Sequence, residues 1–324
     1  MPSRLGCVLV ALTLACTLPL SAQTLVTDIP VSGYPDGIAI NPGTNRIYVA
    51  VTPPDNGTPE VSVIDGASNT VIDTISTPKG AWLTAVNIAT NRVYAAGCVS
   101  DVCALTVIDG NSDKILDVVP ITSTQGIGIQ GLAVNPVTNR IYLSDASDVK
   151  VDVIDGNTHK IMDSISLGGG QPLGIAVDIA LNKIAIALDG PYLYIASGVT
   201  DKIVGRATIG EFAANVAINP FTSEAYVTNE TFAPSTIAIV NMQNAKVMAN
   251  VATGNNPFGV CVDIFTNLVF VTNTQDSTVA EVNGNTQTKV GSVTADSFQI
   301  DCNPATRMVY AGENNGEVVH VISE

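Results

Sequence analysis

The sequence predicts an all-β fold: a seven-bladed β-propeller of four-stranded antiparallel blades, closed by the N-terminal strand in the last blade. Three observations carry this. A motif close to Gly-Ile-Ala-Val-Asn-Pro-x-Thr-Asn-Arg-Ile-Tyr-Val recurs seven times, each time followed by a variable gap and then by versions of Val-x-Val-Ile-Asp-Gly-x-Thr-x-Lys-Ile. The anchor residues of the copies are Asn41, Asn87, Asn135, Asp178, Asn219, Asp263 and Asn303, spaced by 46, 48, 43, 41, 44 and 40 residues. A period in that range, built only from strand-like segments, belongs to propeller blades. The seventh copy runs only to a third strand, while an unassigned strand stands ahead of the first copy.

The third copy shows how one blade is written. Gly131-Leu132-Ala133-Val134-Asn135 alternates large and small residues, as an inner strand buried on both faces between neighbouring sheets requires. Pro136 to Arg140 carries turn formers, and Ile141-Tyr142-Leu143-Ser144 resumes as a second strand. Val151-Asp152-Val153-Ile154 is the third strand, Asp155-Gly156 a tight turn that accepts positive φ, and Lys160 to Leu167 the fourth. The same turn is spelled Asp65-Gly66 and Asp109-Gly110, with Asn283-Gly284, Ser197-Gly198 and Asn241-Met242 as variants. The stretch Leu25 to Val31 precedes the first copy as Val71 to Thr77 precedes the second, so it is expected to complete the seventh blade and cover an open sheet edge.

Composition agrees with such a packing. Apolar residues make up 46% of the 324, and aromatics only 5%, so the core must be built from β-branched and small side chains. At the N-terminus, Arg4, the apolar run Cys7 to Leu20 and the small residues Ser21 and Ala22 read as an export signal over residues 1–22, leaving one propeller domain over 23–324. Loss of Arg4 takes the net charge from −15 to −16. Such a chain does not favour nucleic acid, whose phosphates are bound by clustered Lys and Arg. No segment after the signal has the length and hydropathy of a membrane span. The expected location is secreted, periplasmic or cell-surface, and the expected state a monomer.

Tyr226-Val227-Thr228-Asn229 spells the YVTN signature, with Phe270-Val271-Thr272-Asn273 and Tyr48-Val49-Ala50 as variants. The chain resembles the YVTN family of seven-bladed propellers over essentially everything after the signal. That resemblance implies an exported or surface protein with a binding or scaffold role, and it supplies no catalytic residues. The WD40 pattern is missing its Gly-His and Trp-Asp pairs, since Trp82 is the only tryptophan.

Propeller topology sorts the connections onto two faces. One carries the repeated Asn45-Arg46, Asn91-Arg92 and Asn139-Arg140 with Asp65, Asp109 and Asp155, a register that reads as turn architecture and surface ion pairing. The other carries the connections that differ between copies, as binding loops on a rigid scaffold do. Its candidate ligand-binding residues are Tyr34, Asp36, Trp82, Gln130, Gln171 and Glu211, with Phe212, Asn256, Phe258, Asp296 and Phe298. Asp55, Asp101, Gln125, Glu230 and Gln299 belong to the same loops. Aromatics beside amides and carboxylates suit a protein loop, a glycan or a small polar ligand. The alternative is a hydrolase or lyase of the lactonase kind, with Asp36 and either Glu211 or Asp296 as acid and base, or as weak ligands for Ca²⁺. Otherwise the sequence calls for no cofactor and no metal. His159 and His320 fall away from this face, which leaves a His-based triad without parts.

Four cysteines follow the signal. Cys98 and Cys103 flank one hairpin loop and are expected to form a disulfide in an exported protein. Cys261 and Cys302 sit on the inner strands of adjacent blades with opposite parity. A sheet spacing of about 10 Å predicts two buried thiols there rather than a bond.

Overall fold

The computed structural model describes residues 23–54, 57–77, 79–99, 102–122, 128–230 and 235–324. The expected signal at 1–22, together with Asp55, Asp101 and Gln125, lies outside the described residues. Seven sheets of four antiparallel strands form the molecule, and among the described residues there is no helix. The first blade runs Tyr34–Asn41, Arg46–Thr52, Glu60–Asp65 and Thr70–Ser76 from the axis outward, and the next five follow the same order. In the seventh, the order is Ser297–Asn303, Met308–Glu313, Val318–Ser323 and then Thr24–Pro30.

The two middle strands of each blade are buried on both faces, because sheets cover them on either side. Ile47, Val49 and Val51 of one blade, for example, meet Tyr310, Val319 and Val321 of its neighbour in one apolar layer. Outer strands show the opposite pattern: in Thr70–Ser76 only Ile75 is buried. The closing strand obeys it too, with Ile29 sealed in the layer between blades seven and one. Thr24 pairs with Ser323 and Pro30 with Val318, and His320 Nδ1 meets Asp28 Oδ1 at 2.8 Å.

The turn face is built differently from its sequence-based picture in two respects. The Asp-Gly turns place positive φ not on glycine but at the fifth turn residue, Asn69, Asp113 or His159, whose N–H bonds back to the aspartate carbonyl. Glycine is needed at its place because a Cβ on Gly66 would stand 2.5 Å from Asn45 Oδ1. The repeated cations also reach further than their own turns. Arg46 pairs with Asp113 at 2.7 Å and Arg140 with Asp201 at 3.1 Å, both in the next blade, while Arg92 stays with Asp109 of its own. Asp65 and Asp155 instead accept N–H groups of their own turns.

Cys98 and Cys103 face each other across their hairpin and are disulfide-bonded, with Cα atoms 3.9 Å apart. The expectation of two thiols at Cys261 and Cys302 is overturned, for these are also joined, with Cα atoms 5.7 Å apart. The physical reason is radial. Blades are spaced as stacked sheets only in their outer parts, and their inner strands converge on the axis to within disulfide reach.

Removing Leu25 to Val31 exposes the Val318–Ser323 edge and the layer that holds Ile29. Thermal denaturation followed by circular dichroism should show the melting temperature of that variant lowered by about 10 °C or more.

Candidate functional site

Each inner strand enters from the variable-loop face and meets the axis at a fixed point. Counting back from the anchors, the fifth residue is Asp36, Trp82, Gln130, Leu173, Ala214, Phe258 and Phe298. All seven line one cavity of about 560 Å³. The residue just before each, Pro35, Ala81, Ile129, Pro172, Ala213, Pro257 or Ser297, is buried. Simple alternation would not hold the side chains there, because a flat strand sends them to the sheet faces. In six blades the pairing register slips at this place, as between Pro35 and Ile38 or between Pro257 and Val260. Such a bulge re-aims the backbone toward the axis. In the second blade the regular strand begins only at Leu83, and Trp82 is tied to Ala96 O through its backbone N–H at 3.0 Å.

The threonines of the second strands pin this arrangement. Thr228 Oγ1 accepts the N–H of Asn215 at 2.9 Å and donates to Phe258 O in the next blade at 2.9 Å. Thr272 does the same between Gly259 N, at 2.8 Å, and Phe298 O, at 2.7 Å. Each hydroxyl therefore fixes its own bulge and the axial residue of its neighbour. The rings so placed stack on one another, Phe258 and Phe298 lying 4.0 Å apart at an angle of 15°. Trp82 is oriented by its own indole, which donates to Ile129 O at 3.1 Å. Asn229 Oδ1 accepts the N–H groups of Glu211 and Phe212, at 3.0 and 2.9 Å, and so shapes the loop that brings Phe212 to the cavity.

Two carboxylates complete the lining. Asp36 accepts a hydrogen bond from Thr52 Oγ1 at 2.8 Å; burial pushes its carboxyl up, and the Thr52 bond works against that rise. Glu230 is raised by burial as well, opposed by a hydrogen bond from Asn256. Gln130, Asn215 and Gln299 supply amides.

Of the residues singled out in the sequence, Asp36, Trp82, Gln130, Phe212, Phe258 and Phe298 line the cavity, whereas Tyr34, Gln171, Glu211, Asn256 and Asp296 do not. Four of these five stand seven residues before an anchor, two places short of the axial position. Asn256 acts through Glu230 and through Thr274, 2.7 Å away, and Glu211 is exposed. The acid and base pairings of Asp36 with Glu211 or Asp296 are therefore not assembled in this cavity, and Glu230 is the second carboxylate there. Leu173, Ala214 and Thr52 escaped the sequence reading, the first two because they are apolar. Their signal was the constant distance from the anchor. Among the described residues no group of three or more His, Cys, Asp or Glu is arranged to hold a metal ion.

Below the cavity the inner strands enclose an axial channel of about 360 Å³, in which Asp301 is the only ionisable side chain among the described residues. Its carboxylate accepts Ile40 N–H of the first blade at 2.9 Å and Cys302 N–H at 2.8 Å. The other blades have Ala39, Ala85, Ala133, Ala176, Ala217 or Cys261 at this place. Asp301 touches the channel yet is surrounded by protein, and burial pushes its carboxyl up to about 7 against the pull of those two N–H groups.

No family model and no curated protein matches the sequence. Among solved structures, a chain of hydrazine synthase from Kuenenia stuttgartiensis is similar, with a TM-score of 0.77 over 91% of this chain and 96% of that chain. At 15% identity the likeness is one of fold alone.

Thr228→Val keeps the shape and deletes the hydroxyl, leaving Asn215 N–H and Phe258 O without their partner. It should cost about 1–3 kcal/mol in chemical denaturation. Asp301 makes a second, pH-dependent prediction. Between the ordinary 3.8 and about 7 the folded protein keeps a proton on Asp301 that the unfolded chain has released, so stability falls as pH rises through that window. Glu324, raised to about 8 chiefly by burial, adds a slope of the same sign. The difference between wild type and Asp301→Asn isolates Asp301: denaturation midpoints of the variant should depend less on pH between 4 and 7.

Proposed function

We propose that the chain is an exported, non-catalytic binding propeller of the YVTN type, whose axial cavity takes a small polar ligand. One observation carries this reading. The positions that join blades repeat nearly unchanged, while the position five before the anchor, which lines the cavity in all seven blades, holds Asp, Trp, Gln, Leu, Ala, Phe and Phe. Structural positions in a repeat favour uniformity, and a site for an asymmetric ligand requires the reverse. Stacked aromatic rings beside amides and carboxylates give such a ligand both apolar area and orientation. Export is supported by the apolar N-terminus, by the resemblance to a family of exported proteins and by two disulfides in a chain with four cysteines after residue 22.

The hydrolase or lyase reading has one observation in its favour: Asp36 and Glu230 both line the cavity and both are raised by burial. Acid–base catalysis, however, needs two groups that reach one bond. Asp36 belongs to blade one and Glu230 to blade five, with Phe258 and Phe298 on the blades between, and neither carboxylate takes its shift from the other. Binding is therefore the function the geometry supports best.

Trp82 makes the test direct, since the only tryptophan lines the cavity. A panel of sugars, amino acids and amines titrated against the protein should contain compounds that change Trp82 fluorescence saturably, with the response weakened about tenfold in Phe298→Ala. Turnover of a lactone or glycoside, abolished by both Asp36→Asn and Glu230→Gln, would replace this reading with the enzymatic one.

A further inference from the structure

The order of residues around the cavity says more about its occupant, provided the cavity is a ligand site as proposed above. Going round the axis from blade five to blade one, the lining reads Glu230, Phe258, Phe298, Asp36. A carboxylate thus stands on each side of a stacked pair of phenyl rings. We propose that the ligand is an organic dication of the aliphatic diamine class, with its methylene chain against Phe258 and Phe298 and its ammonium ends at Glu230 and Asp36.

Charge is the first argument. Asp36 and Glu230 are the only charged residues among the described lining, and neither is in an ion pair among the described residues. The segments after residue 22 that lie outside the described residues contain no Lys or Arg. Burial raises both carboxyls, each held down only by one neutral hydrogen bond, from Thr52 or from Asn256, so a cation entering the cavity supplies the opposite charge that the lining lacks. An anionic ligand would meet two like charges with nothing to offset them. A neutral sugar could hydrogen-bond to the carboxylates but would leave their charge uncompensated.

Shape and preorganisation are the second argument. The phenyl rings are held through their backbone carbonyls by Thr228 and Thr272, Asp36 by Thr52, and Glu230 by Asn256 and by its own N–H, which donates to Phe212 O at 2.8 Å. Stacking covers one face of each ring, so the pair offers apolar area to the methylene chain and its two outer faces to the cationic ends. The net charge of −15 raises the local concentration of cations around the whole molecule.

The probes are 1,5-diaminopentane, pentylamine, pentane-1,5-diol and a neutral disaccharide, each titrated at low ionic strength against the full exported chain with Trp82 fluorescence and calorimetry as readouts. The diamine should bind at least about tenfold more tightly than the monoamine, and the diol and sugar should bind weaker still. Asp36→Asn and Glu230→Gln should each bring diamine affinity down to about that of the monoamine, with melting temperature confirming that both variants fold. Equal affinity for diamine and diol, or diamine binding unchanged in both variants, would overturn the assignment. Binding of the sugar but not the diamine would overturn it as well, while leaving the cavity a ligand site. If no probe binds and the wider panel also gives no response that Phe298→Ala alters, the cation assignment and the binding reading fall together.

Discussion

The ring is held by one hydrogen bond used again and again: an anchor asparagine of one blade donates to a left-handed asparagine of the next. Asn41 Nδ2 reaches Asn91 Oδ1 at 2.7 Å, Asn87 reaches Asn139 at 2.7 Å, Asn135 reaches Asn182 at 2.9 Å and Asn219 reaches Asn267 at 2.8 Å. Asn303 returns to Asn45 at 2.7 Å, across the junction where the ring closes. The receiving residue has φ near +50° in every blade, a conformation that asparagine tolerates better than other side chains. Its amide is thereby presented to the neighbouring blade and also lies over the glycine of its own outer turn. One residue type satisfies the backbone conformation, the turn contact and the contact between blades.

The two exceptions follow from the chemistry of the side chain. Each anchor's Oδ1 accepts N–H groups of the turn that follows, whether the anchor is Asn219 with Phe221 or Asp263 with Phe265. That half of the role needs only an oxygen, so aspartate serves. The other half needs a donor, and aspartate has none. At Asp178 and Asp263 the receiving position holds Ser223 and Arg307, and the link between blades is missing there: Oδ2 of each aspartate is buried without a hydrogen-bond partner among the described residues. Some of the buried tyrosines add links of their own, although the hydroxyls of Tyr94 and Tyr142 have no hydrogen-bond partner among the described residues. Tyr226 donates to Asn267 Oδ1 at 2.8 Å and Tyr310 to Asn69 Oδ1 at 3.2 Å, each in the following blade.

These relations explain why so much of the fold was legible and the site only in part. Repetition at a fixed period, a hairpin grammar and a spare N-terminal strand are statements about chain order, and blade count and closure follow from chain order alone. The contacts between blades are not local, so neither the reach of Arg46 to Asp113 nor the convergence that joins Cys261 to Cys302 could be read from one blade. For the cavity, residue type was a poorer guide than position. Tyr34 and Asp296 have suitable chemistry seven residues before their anchors, a distance from which Phe212 alone among the described residues lines the cavity, whereas Leu173 and Ala214 have bland chemistry at the axial distance. What decides is a bulge, and a bulge leaves little trace in composition.

The junction between blades seven and one bears the greatest demand, because blade seven is assembled from both ends of the described chain. Additional links gather around it. Asp301 reaches across to Ile40 N–H, Asn303 to Asn45, and His320 ties the third strand to Asp28 of the closing strand, while Cys261–Cys302 locks blade six to blade seven. The aromatic pair and one of the two cavity carboxylates stand on these same three blades, as Phe258, Phe298 and Asp36. Reinforcement of the seam therefore also fixes one wall of the cavity before any ligand arrives. A wall already ordered costs little conformational entropy on binding, so the constraint that closes the ring and the rigidity that a binding cavity requires are met by the same set of contacts.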